Sequence, residues 1–326
     1  MIITKGKRFK ANLLLLLAAA IWGFAFIAQR VSIQYVGPFT FNGIRFALGS
    51  ISLIPLILLN NKFNSKVIEK DVESNNSQSK KVKLLNAIKA GALVGFVLFM
   101  GASLQQVGLK ETTAGKAAFI TGFYIILVPL CGVFLKQKIN KSAWVASILA
   151  IIGLYLISVT EDFKISKGDL LQLLGSFFWT AHILLIDKYV RKINPLNLSL
   201  IQYIVCSLLS LISALLLEDI ALSYLIQALL PILYGGIGSV GIAYTLQMYG
   251  QKYAKPSHAA IILSLESVFA AIGEFLILGE AMDLRGYTGC ALMFTGVLIS
   301  QIGGSYKQQT ESIHIEDRSL GSSTSS

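Results

Sequence analysis

Ten apolar runs, each about long enough to cross a bilayer, fill most of the chain, and the second five echo the first five. The echo aligns without gaps within its parts. Trp22 and Pro38 fall on Trp179 and Pro195, both 157 positions later. Leu104, Gln105, Gly108, Lys110, Ala117 and Ala118 fall on Leu246, Gln247, Gly250, Lys252, Ala259 and Ala260, all 142 positions later. The difference of 15 residues matches the longer polar loop of the first half, about residues 60–83. A unit of five crossings has an odd count, so its second copy enters the membrane from the opposite side. The fold class expected is therefore an all-α membrane protein, with ten transmembrane helices forming two inverted five-helix repeats. That arrangement is common among secondary transporters and places a substrate site between the halves.

Composition agrees. Of 326 residues, 54% are hydrophobic and only 14% charged, against about 25% charged in a soluble domain. The spans read 11–30, 38–59, 84–108, 113–135, 142–160, 169–188, 195–217, 225–249, 256–279 and 284–305. The corresponding division is a short cytoplasmic N-terminus (1–10), a first repeat (11–160), a second repeat (169–305) and a polar tail (306–326). The 60–83 loop reads as mobile and the tail as disordered. Pro38, Pro195 and Pro256 stand at first helical turns, where a missing N–H is harmless, whereas Pro55, Pro129 and Pro231 lie within runs and are candidate kinks.

Lys5, Lys7, Arg8 and Lys10 precede the first run as in a signal peptide, but the Trp22 echo requires that helix in the mature protein, so it reads as an uncleaved span. Basic residues set the orientation. With the N-terminus inside, 21 of the 28 lysines and arginines fall on the cytoplasmic side and 6 outside, leaving Arg45 within a helix. Both termini are therefore expected in the cytoplasm, with the chain a multi-pass protein of the cytoplasmic membrane. The net charge of +11 is spread over short loops, which suits lipid headgroups and argues against nucleic acid.

An ionisable group within lipid costs roughly 2.5–3.5 kcal/mol at mid-helix, so each one needs a reason. Glu266, ten residues into the ninth run, lies near the midplane. It reads either as a group that binds an amine or exchanges a proton, or as a carboxylate anchoring a helix contact. Arg45 and Glu274 lie at similar depth, and two readings stand: a structural ion pair, or Arg45 as a receptor for a substrate carboxylate. His182 reads first as a hydrogen-bonded packing residue. Trp22, Phe26, Tyr124, Trp179 and Tyr244 supply aromatic area near helix centres, as walls of a cavity or as ordinary packing. Asn42, Gln29, Gln105, Gln106, Thr121 and Gln247 are polar residues on apolar helices that bridge helices or line a wet cavity. Glycines gather in the third run (Gly91, Gly95, Gly101) and the eighth (Gly235, Gly236, Gly238, Gly241).

No Walker A sequence is present, so no ATPase subunit is implied, and no catalytic cluster argues for an enzyme. Cys131, Cys206 and Cys290 lack metal-ligand spacing, and no cofactor is expected. The partners expected are a small-molecule solute and membrane lipids. An uncoupled facilitator or exchanger of a phosphorylated or lipid-linked solute is the main rival reading, and a membrane enzyme or scaffold a weaker one.

Several stretches resemble a known family. Ala19-Ala20-Ile21-Trp22-Gly23-Phe24-Ala25-Phe26 and Gly37-Pro38-Phe39-Thr40-Phe41-Asn42-Gly43-Ile44-Arg45-Phe46 resemble the opening of an EamA-domain transporter of the drug/metabolite transporter superfamily. Thr113 to Thr121 resembles the start of its fourth helix, and Ala259 to Ala271, closing in Leu278-Gly279-Glu280, its ninth. The resemblance covers residues 11–305. It implies a central cavity formed mainly by helices 1–4 and 6–9, with helices 5 and 10 peripheral, and movement of amino acids, other small metabolites or drugs, often outward. Glu266 matches a glutamate of the ninth-helix motif. The first repeat departs from the pattern: Tyr124 stands in the slot of Glu266, and Lys136-Gln137-Lys138 replaces the Gly-Glu ending.

Overall fold

The structure, a computed structural model, describes residues 5–68, 77–112, 114–136, 139–158, 166–278 and 284–300. The first repeat comprises α1 (Lys5–Ser32), α2 (Pro38–Ile68), α3 (Ser77–Gly108), a divided fourth helix with α4a (Ala114–Thr121) and α4b (Tyr124–Phe134), and α5 (Lys141–Ser158). The second comprises α6 (Lys167–Val190), α7 (Pro195–Leu217), a composite α8, a divided ninth helix with α9a (Pro256–Leu263) and α9b (Glu266–Leu278), and α10 (284–300). Within α8, the pieces Leu222–Gln227 and Leu229–Leu233 lead into a π-helical stretch, Tyr234–Tyr244, and then Thr245–Gln251.

Seven of these stretches are each long and apolar enough to cross a bilayer. The fourth helix reaches a similar length only when its two pieces are taken together. Leucines near helix ends, such as Leu215, Leu216, Leu217 and Leu230, stand largely exposed. A contiguous apolar exterior of this kind suits hydrocarbon rather than water.

α2 and α3 continue past the expected span ends, to Ile68 and from Ser77. The polar loop is thus shorter than composition alone indicates. Its residues 69–76 and the 306–326 tail lie outside the described residues.

Packing follows the duplication. α2 meets α7 and α4 meets α9, each pair being its own mate. The contacts α3–α7, α3–α6 and α1–α9 have the mates α8–α2, α8–α1 and α6–α4. Exchanging the two halves therefore maps these contacts onto one another, as a pseudo-two-fold relation requires. α5 packs on α10, where a Cβ at Gly153 would meet Gly289 O and the Met293 side chain.

Neither helix division falls at a proline. α4 parts at Gly122-Phe123, six residues before Pro129, and α9 parts at Ser264-Leu265, with no proline nearby. The two divisions are repeat mates: α9a has the bounds of α4a shifted by 142, and α9b begins at the mate of Tyr124. Even the local hydrogen bonds repeat. Phe123 N donates to Ile120 O and Leu265 N to Ile262 O, both at 3.2 Å, in the tighter i to i−3 pattern of a 3₁₀ turn. Pro231 lies beside the α8 irregularity, just before the π-helical stretch.

Hydrogen-bonded caps hold the helix starts. Ser166 and Asp169 form a reciprocal capping box on α6, and Asn194 Oδ1 accepts from Leu196 N at the start of α7. The start of α2 is capped from another helix. Glu218, just past α7, accepts from Phe39 N and Thr40 N, both at 2.8 Å, and from the Thr40 hydroxyl.

Candidate functional site

A cavity opens between the halves, lined from α1, α2, α3, α4, α6, α8 and α9. Among the described residues α5 and α10 contribute no lining residue, and neither does α7, which the resemblance placed among the cavity formers. All seven residues singled out as cavity candidates, namely Trp22, Phe26, Arg45, Tyr124, Trp179, Tyr244 and Glu266, lie along its wall.

The two helix divisions meet here. Tyr124 opens α4b and Glu266 opens α9b, and the Tyr124 hydroxyl donates to Glu266 Oε1 at 3.0 Å. Repeat mates are thus joined directly, tyrosine to carboxylate, across the pseudo-two-fold relation. Two symmetric carboxylates at this spot would repel each other. Replacing one by a phenol supplies a donor to the other.

The aromatic wall is built around Tyr244. Its ring lies 4.6 Å from Trp22 at an interplanar angle of 63° and 6.4 Å from Trp179 at 23°. The two tryptophans occupy equivalent positions, yet their indole N–H groups end differently. Trp22 donates to Ser239 O at 3.2 Å, Trp179 to Gln105 Oε1 at 3.1 Å. The mate of Tyr244 is Ala102, so the ring at the centre of the cluster has no aromatic counterpart in the first half.

Arg45 is buried, at 2% exposure. Its Nε donates to Asn42 Oδ1 at 3.0 Å, one turn earlier, and Asn42 is fixed in turn by donating to Ala102 O at 3.1 Å. The guanidinium carbon lies 5.1 Å from both the Phe41 and Phe46 ring centroids, within cation–π range. Gly235 admits it, since a Cβ there would stand 3.3 Å from Arg45 Cδ. The Arg45–Glu274 pairing considered above involves a Glu274 side chain outside the described residues.

His182, read from sequence as a packing residue, lines the cavity as well. Its Nε2 faces Gln202 Oε1 at 3.0 Å. Gln202 is the repeat mate of Arg45, so one slot holds a cation in the first half and an amide serving an imidazole in the second. Sequence reasoning did not name Gln202, Ser239 or Leu263. Pseudo-symmetry held the signal for two of them, because Gln202 is the mate of Arg45 and Leu263 the mate of Thr121.

Gln29, Gln105, Gln106 and Thr121 form a connected polar layer with Gln172. Gln105 Nε2 donates to Gln29 Oε1, Gln172 Nε2 to Gln105 O and Thr121 Oγ1 to Gln172 Oε1, while Gln106 Nε2 donates to Gln29 O. Among the described residues no group of three His, Cys, Asp or Glu side chains is placed to hold a metal ion.

Comparison with known proteins agrees with this architecture. The model of the EamA-like transporter family matches twice, over residues 9–159 and 166–301. An uncharacterized transporter of Archaeoglobus fulgidus is 31% identical over 294 residues, covering 90% of this chain and 86% of that protein. The uncharacterized transporter YwfM of Bacillus subtilis is 24% identical, covering 93% of this chain and 98% of its own length. A solved crystal structure superposes with a TM-score of 0.70 at 16% identity, covering 90% of this chain and 97% of the other, which is a likeness of fold.

Proposed function

From the premise that this chain belongs to the EamA-like transporter family, we propose that it carries a small organic solute across the cytoplasmic membrane by alternating access, as an exporter. The observation that carries this reading is the cavity between the repeats, where both helix divisions converge on Tyr124 and Glu266. Divided helices at a repeat interface supply irregular backbone where it lines a cavity, as secondary transporters use it. Rocking one half against the other moves the opening from one face to the other.

The basic-residue bias supports cytoplasmic termini, so α1 runs outward and α9 does likewise. Arg45 is the anion-holding group of the cavity, and the aromatic residues Trp22, Phe26, Trp179 and Tyr244 enclose the body of the solute. Glu266 is the coupling group: it exchanges a proton when its bond with Tyr124 opens.

Proteoliposome flux tests the proposal. Glu266→Gln keeps a partner for Tyr124 but removes the exchangeable proton, and it is expected to abolish flux driven by a pH gradient while solute exchange continues. Driven flux that survives unchanged assigns the protein to uncoupled facilitation. Absence of both driven flux and exchange in the wild type, across a broad panel of metabolites, overturns the transport reading.

A further inference from the structure

We propose that the solute is a flat organic anion that also carries a hydrogen-bond donor, and that His182 and Gln247 select for that donor. This rests on the transport reading and adds a substrate class to it.

Two buried acceptors on the cavity wall have no partner among the described residues. His182 Nε2 faces the carbonyl oxygen of Gln202, so the ring proton sits on Nε2 and Nδ1 is left with its lone pair. Nδ1 itself is buried and unpartnered. Gln247 Oε1 is in the same condition, on a residue 2% exposed. Both residues line the cavity. A buried acceptor without a donor is costly, so a solute bearing a donor recovers what the empty wall forgoes.

Arg45 has the opposite need. Only its Nε has a described hydrogen-bond partner, and its guanidinium is flanked by phenyl rings, leaving the remaining N–H donors for an oxyanion. Tyr244 links the two regions: its ring lies 6.0 Å from Phe46, which flanks Arg45, and 6.0 Å from His182. Trp22, Trp179 and Tyr244 supply aromatic area along the same wall. An anion-holding end, an acceptor end and aromatic walls together describe a planar carboxylate with a hydroxyl or ammonium group.

Two of the three tryptophans, Trp22 and Trp179, line the cavity, so their fluorescence reports occupancy. Titration of the purified full-length protein with 4-hydroxyphenylacetate, phenylacetate, 4-hydroxyphenylacetamide and tyrosine separates the requirements. The hydroxy acid is expected to bind about tenfold more tightly than either phenylacetate or the amide. His182→Phe and Gln247→Leu are each expected to shrink the preference over phenylacetate to about twofold, and Arg45→Gln to erase the preference over the amide. Tighter binding of tyrosine than of the hydroxy acid supports the proposal and assigns the donor to an ammonium group. Equal binding of acid and amide by the wild type, equal binding with and without the hydroxyl, or no quenching by any of the four overturns it, whether or not the variants fold. Counterflow of the same compounds keeps the two readings apart. Selective binding without counterflow sinks transport and leaves the recognition, whereas counterflow without selectivity does the reverse.

Discussion

The two ends of the cavity are built from equivalent positions and closed by opposite chemistry. At the face away from the N-terminus, Gln29, Gln105, Gln106, Thr121 and Gln172 are joined by hydrogen bonds. Their mates at the N-terminal face are Ile186, Gln247, Met248, Leu263 and Leu15, all buried and, apart from Gln247, apolar. One contact shows the exchange directly. A Cβ at Gly108 would meet Gln172 Nε2 at 2.8 Å, and one at its mate Gly250 would meet Leu15 Cγ at 2.7 Å. The geometry is conserved between the halves while amide has been traded for methyl.

That trade matters for which end opens. Polar groups pulled apart at the far face regain water, so their net contribution is small, averaging about 0.6 kcal/mol per interhelical bond in membranes. Apolar groups separated at the N-terminal face expose surface at about 25 cal/mol per Å². If the halves rock as proposed, the hydrogen-bonded end is the easier one to open and the apolar end the firmer seal.

The strongest way to break this comparison is to fill the two glycine contacts. Gly108→Leu and Gly250→Leu are each expected to destabilise by about 1–3 kcal/mol or more through overpacking, read as lost thermal stability in detergent. Gly250→Ala should be relieved by Leu15→Ala, which removes the nearest side-chain atoms. Gly108→Ala should be rescued less by Gln172→Ala, because Gly168 O, a backbone atom, stands 2.9 Å from the added Cβ, against 3.1 Å for Ala11 O at Gly250. Equal rescue at both ends denies the distinction.

A smaller effect is expected from Gln172→Leu, which gives the far face the residue found at the other end. It removes the acceptor of Thr121 and the donor to Gln105 O, a loss of about 1–3 kcal/mol if both are left unpaired. Ser239→Cys places a thiol on the cavity wall. Its labelling by an impermeant reagent added at the far face should change at least threefold in the Gln172→Leu background, and unaltered labelling separates closure from this layer.

The smallest effect belongs to Ser32→Ala. It deletes one long bond, Gln106 Nε2 to Ser32 Oγ at 3.3 Å, while Gln106 keeps Gln29 O. Stability and flux should stay within about 0.6 kcal/mol of the wild type, and a larger loss makes this residue part of the closure.

Much of the architecture is legible in the residues. The 157 and 142 offsets announce two copies, and apolar run lengths announce the membrane. All seven cavity candidates came from asking which aromatic and charged side chains sit near helix centres. The division of α4 and α9 was not legible, because Gly122-Phe123 and Ser264-Leu265 carry no proline and no shared residue types. Their equivalence emerges from backbone geometry alone. The partner of His182 was not legible for a related reason: Gln202 is twenty residues away on another helix.

Sequence alone determined the solvent, the count of crossings and the inverted duplication, since hydropathy and repeat spacing are properties of the chain read in one dimension. Tertiary structure decided which mates touch. Tyr124 and Glu266 are separated by 142 residues and become partners only because two divided helices meet at the interface of the halves. Hydrogen bonding and burial act over a few ångströms in space, and no spacing along the chain encodes them.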